Sequence, residues 1–222
     1  MSVHESNSLG GSQPSVVSLN VVFAEIPDVG GAIGRTAIDK RAVSESLAVT
    51  TDGIQGDFRS DIKHHGSPDQ AVYAYSHEDY EWWSVQLQMP LAPGVFGENL
   101  TTIGIDWTTA VVGSVLTIGT SQLQVSAPRI PCGTFARWMD QDHWVKRFTD
   151  SGRCGSYLRV LEPGQIAPGQ DIEFLDIPQH GVTILDLFRV YNGDREQHRL
   201  LRVAQCEDAS ESFRTKAQVA LK

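Results

Sequence analysis

One cysteine of this chain stands in a loop suited to present a reactive or metal-binding sulfur. Cys132 follows a short alternating strand and ends the segment Pro128-Arg129-Ile130-Pro131-Cys132. The two prolines hold the backbone on a stiff, non-helical path, and a rigid loop at the end of a strand presents a side chain well. Arg129 adds positive charge, which favours thiolate over thiol and can bind an oxyanion. The alternative is a half-buried structural cysteine beside a surface arginine.

A second segment combines glycines with cationic side chains. It consists of Gly53–Asp57 and, a few residues later, Lys63–Gln70, which contains His64 and His65. In an extended segment the two adjacent imidazoles point to opposite sides and do not easily share one metal, and the spacing typical of a zinc site is absent nearby. We expect a binding loop in which one histidine faces a pocket; a glycine-rich surface connection is the alternative.

Two further segments have the composition of ligand contacts. In Gly97-Glu98-Asn99-Leu100 the Asn99 amide can donate to or accept from a ligand, while Glu98 points to the other face of the strand. A plain turn before a strand is the alternative. In Gly152-Arg153-Cys154-Gly155 the small residues leave backbone amides accessible, which suits a phosphate.

Composition limits the classes of function that fit. The 222 residues suit one large domain, or one domain with a small appendage. A net charge of −9 argues against a nucleic-acid partner, which usually demands a basic face. No apolar run is long enough to span a bilayer, and no secretory signal opens the chain. The 3 cysteines do not form a disulfide framework, so we expect a cytoplasmic protein without a membrane contact.

The elements that must position these residues are mainly short strands. Several strands with regular turns over residues 15–176 predict a closed or nearly closed β-barrel with short helices. The candidate strands are Ser15–Glu25, Ala71–Tyr75, Glu98–Thr101, Val115–Ile118, Leu123–Ser126, Gly155–Leu161 and Asp171–Leu175. Ser76 is predicted to cap a helix over His77–Leu87, and a second short helix is expected to begin near Cys132.

The pattern becomes helical after residue 176. Thr183 and Asp186 form a capping pair for the first helix of this region, which Asn192-Gly193 ends. Residues 195–205 and 210–221 predict two more helices. We therefore expect a disordered tail over residues 1–14, a barrel domain over 15–176 and a small three-helix domain over 177–222.

Taken together, the four segments resemble MOSC-domain proteins, relatives of the C-terminal domain of molybdenum cofactor sulfurase. The matching motifs are Lys63-His64-His65-Gly66-x-Pro68-Asp69-Gln70, Gly97-Glu98-Asn99-Leu100, Pro128-Arg129-x-Pro131-Cys132 and Gly152-Arg153-Cys154-Gly155-x-Tyr157. The small helical tail is similar to that of the stand-alone, YiiM-like bacterial subgroup. Ser67 and Ser156 depart from the family pattern, which often has glycine and tryptophan at these positions.

The resemblance implies a MOSC-type β-barrel that binds the pyranopterin molybdenum cofactor. Cys132 matches the cysteine that ligates molybdenum or carries a persulfide, and it is the expected catalytic residue and metal ligand. The phosphate of the cofactor accounts for the cationic groups in the candidate loops, whereas an amide and glycine backbone groups are expected at the pterin. The expected cofactor contacts are Lys63, His65, Gly66, Asn99, Arg129, Gly152 and Arg153.

The resemblance also implies a molybdenum-dependent oxidoreductase that reduces small N-hydroxylated compounds such as hydroxylamino-purines. Electrons must come from a separate redox partner, since the chain has no iron–sulfur spacing and no dinucleotide motif. The alternative is a sulfur-carrier or cofactor-carrier module, in which Cys132 holds a persulfide received from a desulfurase. A cysteine hydrolase with His65 as base is a third hypothesis. No pyridoxal phosphate is expected, and the helical tail is suited to support a homodimer.

Overall fold

The computed structural model describes residues 13–60 and 67–222. This part of the chain contains eleven strands, six α-helices and a short 3-10 helix over Pro68–Gln70. The strands are β1 (Ser15–Pro27), β2 (Arg35–Val43), β3 (Leu47–Thr50), β4 (Gly53–Ile54), β5 (Val72–Ser76), β6 (Leu100–Ile103), β7 (Val115–Ile118), β8 (Ser121–Pro128), β9 (Ser156–Glu162), β10 (Gly164–Ile166) and β11 (Ile172–Asp176). The helices are α1 (His77–Leu87), α2 (Gly133–Met139), α3 (Trp144–Ser151), α4 (Ile184–Tyr191), α5 (Gln197–Gln205) and α6 (Glu211–Ala220).

Eight of the strands form one sheet that curls into a nearly closed barrel. Its order is β11-β7-β8-β9-β5-β6-β1-β2, and a three-stranded sheet β10-β3-β4 lies beside it. The start of β1 returns to the opposite edge, where Ser15 pairs with Asp171 and Ile172 N–H donates to Pro14 O over 2.8 Å. The predicted mainly β architecture with short helices is therefore confirmed.

The central strands bring parts of three candidate motifs, with Asn99, Cys132 and Tyr157, to one end of the barrel. β8 pairs with β9, and β9 pairs with β5, so that Ala127, Tyr157 and Tyr73 lie side by side in register. The β8 strand leads directly into the Arg129–Cys132 segment, after which α2 begins. This topology joins motifs that are far apart in the sequence.

The helix starts predicted from side-chain capping are also found. Ser76 Oγ accepts from Asp79 N–H at the start of α1, and Thr183 and Asp186 form a reciprocal capping box at the start of α4. Both arrangements satisfy amide groups that have no partner inside the helix.

The three C-terminal helices are attached to the barrel through backbone contacts. Val112 N–H donates to Val182 O over 2.9 Å, and Ile184 N–H donates to Ala110 O over 3.0 Å. Buried residues of the barrel and of these helices belong to one continuous apolar cluster. The division into two domains at residue 176 stays a prediction. Within the described ranges, no helix has the length and apolar character needed to cross a bilayer.

Sequence reasoning missed several elements, each for a physical reason. The β2 strand was not recognised because its alternation is broken by Asp39, a buried carboxylate that pairs with Arg41. The segment after residue 52, expected to be a loop, begins with β4, which pairs with β3. The α3 helix begins after His143, a left-handed residue with no side-chain cap, so it carries no start signal.

The contact between Gly155 and the neighbouring strand gives a prediction about stability. Gly155 has φ +61°, and a Cβ there would lie 2.6 Å from Ala74 O and 2.8 Å from the Tyr73 ring. Gly169 has φ +82° with open space around it. Gly169→Ala should lower the free energy of unfolding by about 1–2 kcal/mol for the backbone conformation alone. Gly155→Ala should lower it by about 1–3 kcal/mol more because of the clash.

Urea denaturation of the two variants beside the wild type measures this difference. The Gly169→Ala variant is the control for left-handed backbone strain. Equal losses in the two variants would contradict the close packing of Gly155 against β5.

Candidate functional site

An open cavity of about 1000 Å³, measured out to its mouth, lies at the end of the barrel where β8 leads into α2. Among the residues that line it are three of the expected site residues: Cys132, Arg129 and Asn99. The other lining residues with polar side chains include Asp28, Arg35, Lys40, Asp57, Arg59, Ser60, Gln70, Tyr73, Thr134 and Tyr157.

Cys132 is the accessible thiol of this chain. It lies half-buried at the residue that caps α2, with an extended backbone at φ −128° and no hydrogen bond from its side chain to the helix. Cys154 and Cys206 are buried, and burial raises the pKa of both thiols. Thiolate chemistry is therefore expected at Cys132 and at neither of the other two cysteines.

Arg129 is a buried cation that forms no ion pair with a carboxylate of the described residues. The residue is 8% exposed, and no carboxylate of the described residues lies within ion-pair distance of its guanidinium. Its Nη1 donates to Phe96 O over 2.9 Å, and the guanidinium lies 4.1 Å from the centre of the Phe135 ring. Its buried Nε has no hydrogen-bond partner in the described structure.

The surroundings keep this guanidinium charged. Burial by itself lowers the pKa of Arg129, but the acidic groups of Tyr157, Tyr73 and Cys132 act in the other direction, and the net effect is a raised pKa. Burying a charged group without a counter-ion is costly. The cavity is therefore prepared for an anion at Arg129.

Asn99 lines the cavity, but its side chain serves the protein itself. The amide oxygen accepts from Tyr73 N–H over 3.1 Å, and the amide nitrogen donates to Asp57 Oδ2 over 2.9 Å and to Asn20 O over 3.3 Å. Asn99 thus joins β1, β5 and the segment that carries Asp57. We assign it a positioning role, because its hydrogen-bonding groups are engaged.

Two ion pairs neutralise the other charges of the wall. Asp57 accepts from Lys40 Nζ over 2.8 Å, and both side chains are nearly buried. At the opposite side, Asp28 accepts from Arg137 through both carboxylate oxygens, over 2.6 and 2.8 Å, and from Thr134. The bonds from Arg137 are the main reason that the pKa of Asp28 is lowered.

Gly152 and Arg153 lie in a different place from the one expected. They line a second cavity with Asp79, Asp106 and Arg189. The Arg153 guanidinium pairs with the buried Asp79 carboxylate and lies 4.7 Å from the centre of the Trp82 ring. The structure does not bring these two residues together with Cys132, and we assign them no contact with a ligand of the Cys132 cavity.

The backbone of the same motif nevertheless supports the cavity. Tyr73 Oη donates to Cys154 O over 3.0 Å, and Tyr75 Oη donates to Arg153 O over 2.9 Å. These bonds hold the tyrosines of β5 beneath the cavity floor. The backbone of this motif thus has a positioning role, and the expected role of Gly152 and Arg153 in phosphate binding stays a prediction.

Three expected contacts, Lys63, His65 and Gly66, lie outside the described residues. Sequence reasoning missed Lys40, Asp57 and Tyr157 as parts of the site. Lys40 escaped because β2 was not recognised. Asp57 and Tyr157 stood inside quoted motifs, but nothing in the spacing shows that their side chains meet at one cavity.

The fold and the cavity together define a class of protein: a nearly closed β-barrel in which a half-buried thiol and a buried guanidinium line the same cavity. Residues 61–173 match the model of the MOSC domain. The chain is 32% identical to YflK of Bacillus subtilis (strain 168) over 90% of its own length and 91% of that protein. The chain therefore belongs to the MOSC-domain family.

Two further comparisons bear on fold and function. The crystal structure of YiiM from Geobacillus stearothermophilus superimposes with a TM-score of 0.77 at 27% identity, over 94% of this chain and all (100%) of that one. A protein of Gibberella moniliformis (strain M3125 / FGSC 7600) named "Reductase" is 29% identical over 80% of this chain and 32% of its own length.

Glu98, which follows the cavity residue Gly97, gives a prediction about pH. Its buried Oε1 accepts from Tyr80 Oη (2.6 Å), Thr101 Oγ1 (2.6 Å) and Gly94 N–H (2.7 Å), whereas Oε2 has no partner in the described structure. Burial raises the pKa of Glu98 above its ordinary value of 4.5. A raised pKa means that the wild type loses stability as the pH rises through the ordinary range of glutamate towards the raised value.

Glu98→Gln should keep the bonds at Oε1 and remove this pH dependence. We expect the free energy of unfolding of the variant, relative to the wild type, to rise as the pH increases through the ordinary range of glutamate towards the raised pKa of Glu98. Urea titrations at several pH values measure it, with the exposed Glu162→Gln as the control for a lost charge. A relative stability that falls over the same interval would show that the carboxylate form of Glu98 stabilises the fold.

Proposed function

We propose that this protein is a molybdenum-cofactor-dependent oxidoreductase that reduces small N-hydroxylated compounds, with electrons from a separate redox protein. The observation that carries the proposal is the pairing, in one cavity, of an accessible thiol with a buried guanidinium that has no carboxylate partner in the described structure. Membership of the MOSC family and the relative named reductase support it.

The chemistry of the donor set fits a cofactor that brings both a soft metal and a phosphate. Cys132 offers one thiolate, the kind of ligand that soft metal centres prefer. The described residues contain no cluster of three or more histidine, cysteine or carboxylate side chains that would hold a metal alone. A metal at Cys132 would therefore have to arrive with further ligands of its own, as it does in a metal–pterin cofactor.

The chain's own residues have distinct roles in this proposal. Cys132 would ligate molybdenum, and Arg129 would bind the anionic part of the cofactor, which provides a counter-charge that no described carboxylate supplies by an ion pair. Lys63, His65 and Gly66 stay proposed contacts of the same ligand. Asn99 and Asp57 hold the wall in shape. When bound, the cofactor supplies the redox centre through which electrons reach an N–O bond.

The overall reaction consumes two electrons and two protons. An N-hydroxylated amine, two electrons and two protons give the amine and one water molecule. The carrier protein supplies the electrons, and protons must reach the substrate from the cavity or from solvent. The mouth is lined by Ile33 and Phe58, which are 44% and 48% exposed. These apolar side chains suit the planar body of a nucleobase.

Metal content tests the assignment of Cys132. Protein made in a host that synthesises the cofactor should carry molybdenum, as measured by elemental analysis. Cys132→Ala should lose most of it because the thiolate ligand is gone. Cys206→Ala should retain it, since Cys206 lies in the helical region beside His180. Equal molybdenum in wild type and Cys132→Ala would reject the ligand, and a wild type that holds none would reject the cofactor.

Replacement of Arg129 gives a second test, in which the stability of the fold should be retained while the binding of the cofactor is lost. Replacing a buried, unpaired cation by an apolar side chain of similar length should not destabilise the cofactor-free fold. We expect Arg129→Met to unfold within about 1 kcal/mol of the wild type or above it, but to retain much less molybdenum. Urea denaturation and elemental analysis on the same preparations check both. Lower stability with normal metal content would make Arg129 a structural residue.

A further inference from the structure

Two tyrosines line the Cys132 cavity, and their hydroxyl groups are used differently. Tyr73 Oη donates to Cys154 O over 3.0 Å, so it is committed to the fold. Tyr157 Oη has no hydrogen-bond partner among the described residues, and it is not sealed away from the cavity. A phenol that is held in place but left without a partner is available to a ligand.

Apart from Thr36, whose aliphatic hydroxyl is a far weaker acid than a phenol, the other hydroxyl and lysine groups of the described lining are already engaged. Lysine and hydroxyl side chains around the cavity donate to carboxylates of the protein: Lys40 to Asp57 (2.8 Å), Thr134 to Asp28 (2.8 Å) and Ser60 to Glu25 (2.7 Å). Cys132 is reserved for the metal in the proposed function. Within the described lining, Tyr157 is therefore the phenol whose hydroxyl has no hydrogen-bond partner.

The position of the Tyr157 side chain is fixed from two sides. Its ring lies 5.0 Å from the Tyr73 ring, centre to centre. Its backbone pairs with Ala127 on β8, and Ser126 Oγ donates to its carbonyl oxygen over 2.9 Å. A donor that is held by packing and by the sheet is pre-organised for proton transfer.

Burial and the Cys132 thiol raise the pKa of Tyr157, whereas the Arg129 guanidinium lowers it. Burial raises the pKa of Tyr157, so the phenol keeps its proton at neutral pH. Arg129 acts in the other direction, because a cation stabilises the phenolate. The same guanidinium would thus stabilise the donor after the transfer.

We propose that Tyr157 is the proton donor for cleavage of the N–O bond; this assignment rests on the proposed function. Two electrons from the reduced carrier protein enter the N–O bond, which breaks. The departing oxygen takes the proton of Tyr157 Oη and leaves as water, and the nitrogen takes a second proton from solvent to give the amine. The Tyr157 phenolate regains a proton from solvent through the open mouth of the cavity.

The test is Tyr157→Phe, which removes the hydroxyl and keeps the ring against Tyr73. With a hydroxylamino-purine as substrate and a chemical reductant in place of the carrier, kcat should fall by about 10²- to 10⁴-fold, the usual contribution of a general acid. Molybdenum content and the affinity of the loaded protein for the substrate, measured by equilibrium titration, should not change. The melting temperature should also stay that of the wild type, because the hydroxyl has no partner within the described structure to lose.

Tyr73→Phe is the matched control for losing a hydroxyl from the same ring pair. It should lower the melting temperature, because it breaks the bond to Cys154 O. A Tyr157→Phe variant as active as an active wild type overturns the inference and leaves the proposed function intact. A variant that loses molybdenum also overturns it, since Tyr157 would then hold the cofactor. A wild type without molybdenum and without activity overturns the proposed function, and this assignment with it.

Discussion

A buried positive charge without a counter-ion is the constraint on which the rest of the site depends. Arg129 is almost sealed from water, yet its Nε has no partner in the described structure and no described carboxylate lies within ion-pair distance of its guanidinium. The contacts it does have, Phe96 O and the face of the Phe135 ring, offset only part of the cost of desolvation. A side chain in this state contributes little to the fold by its charge. Its presence is best explained by an anionic ligand that completes the pairing.

The described carboxylates of the cavity wall are engaged with other cations, so neither forms an ion pair with Arg129. Asp57 is the obvious local anion, but Lys40 and the Asn99 amide occupy its oxygens. Asp28, on the other side, is held by both ends of the Arg137 fork. Each carboxylate of the described lining already has a cation, so none of them is left to form an ion pair with Arg129. The acidic net charge of the whole chain, −9, therefore says little about this cavity.

Sequence reasoning predicted the features that depend on interactions between residues close together in the chain. Cap residues such as Ser76 and Thr183 begin helices through bonds to their own first turn, and these are visible in a few residues. The resemblance supplied the barrel and placed Cys132 and Arg129 in one cavity. What escaped depends on long-range geometry. Arg153 carries the same charge as Arg129 and stands in an equally suggestive motif, but its partner is Asp79, which lies 74 positions away. No spacing rule reveals that pairing.

Tyr73 and Tyr157 lie ring against ring, but their hydroxyl groups have different roles. Their rings touch and both line the cavity, and burial raises the pKa of each. The difference lies in what the strands place near each hydroxyl. β5 directs Tyr73 Oη to the Cys154 carbonyl, which the tight turn at Gly155 holds in reach, whereas β9 leaves Tyr157 Oη without an acceptor of its own in the described structure. The Tyr73 hydroxyl thus stabilises the cavity wall, whereas the Tyr157 hydroxyl takes part in no hydrogen bond of the described structure. For the proposed cleavage of an N–O bond this difference matters, since a donor engaged in structure would have to break its own hydrogen bond before it could act.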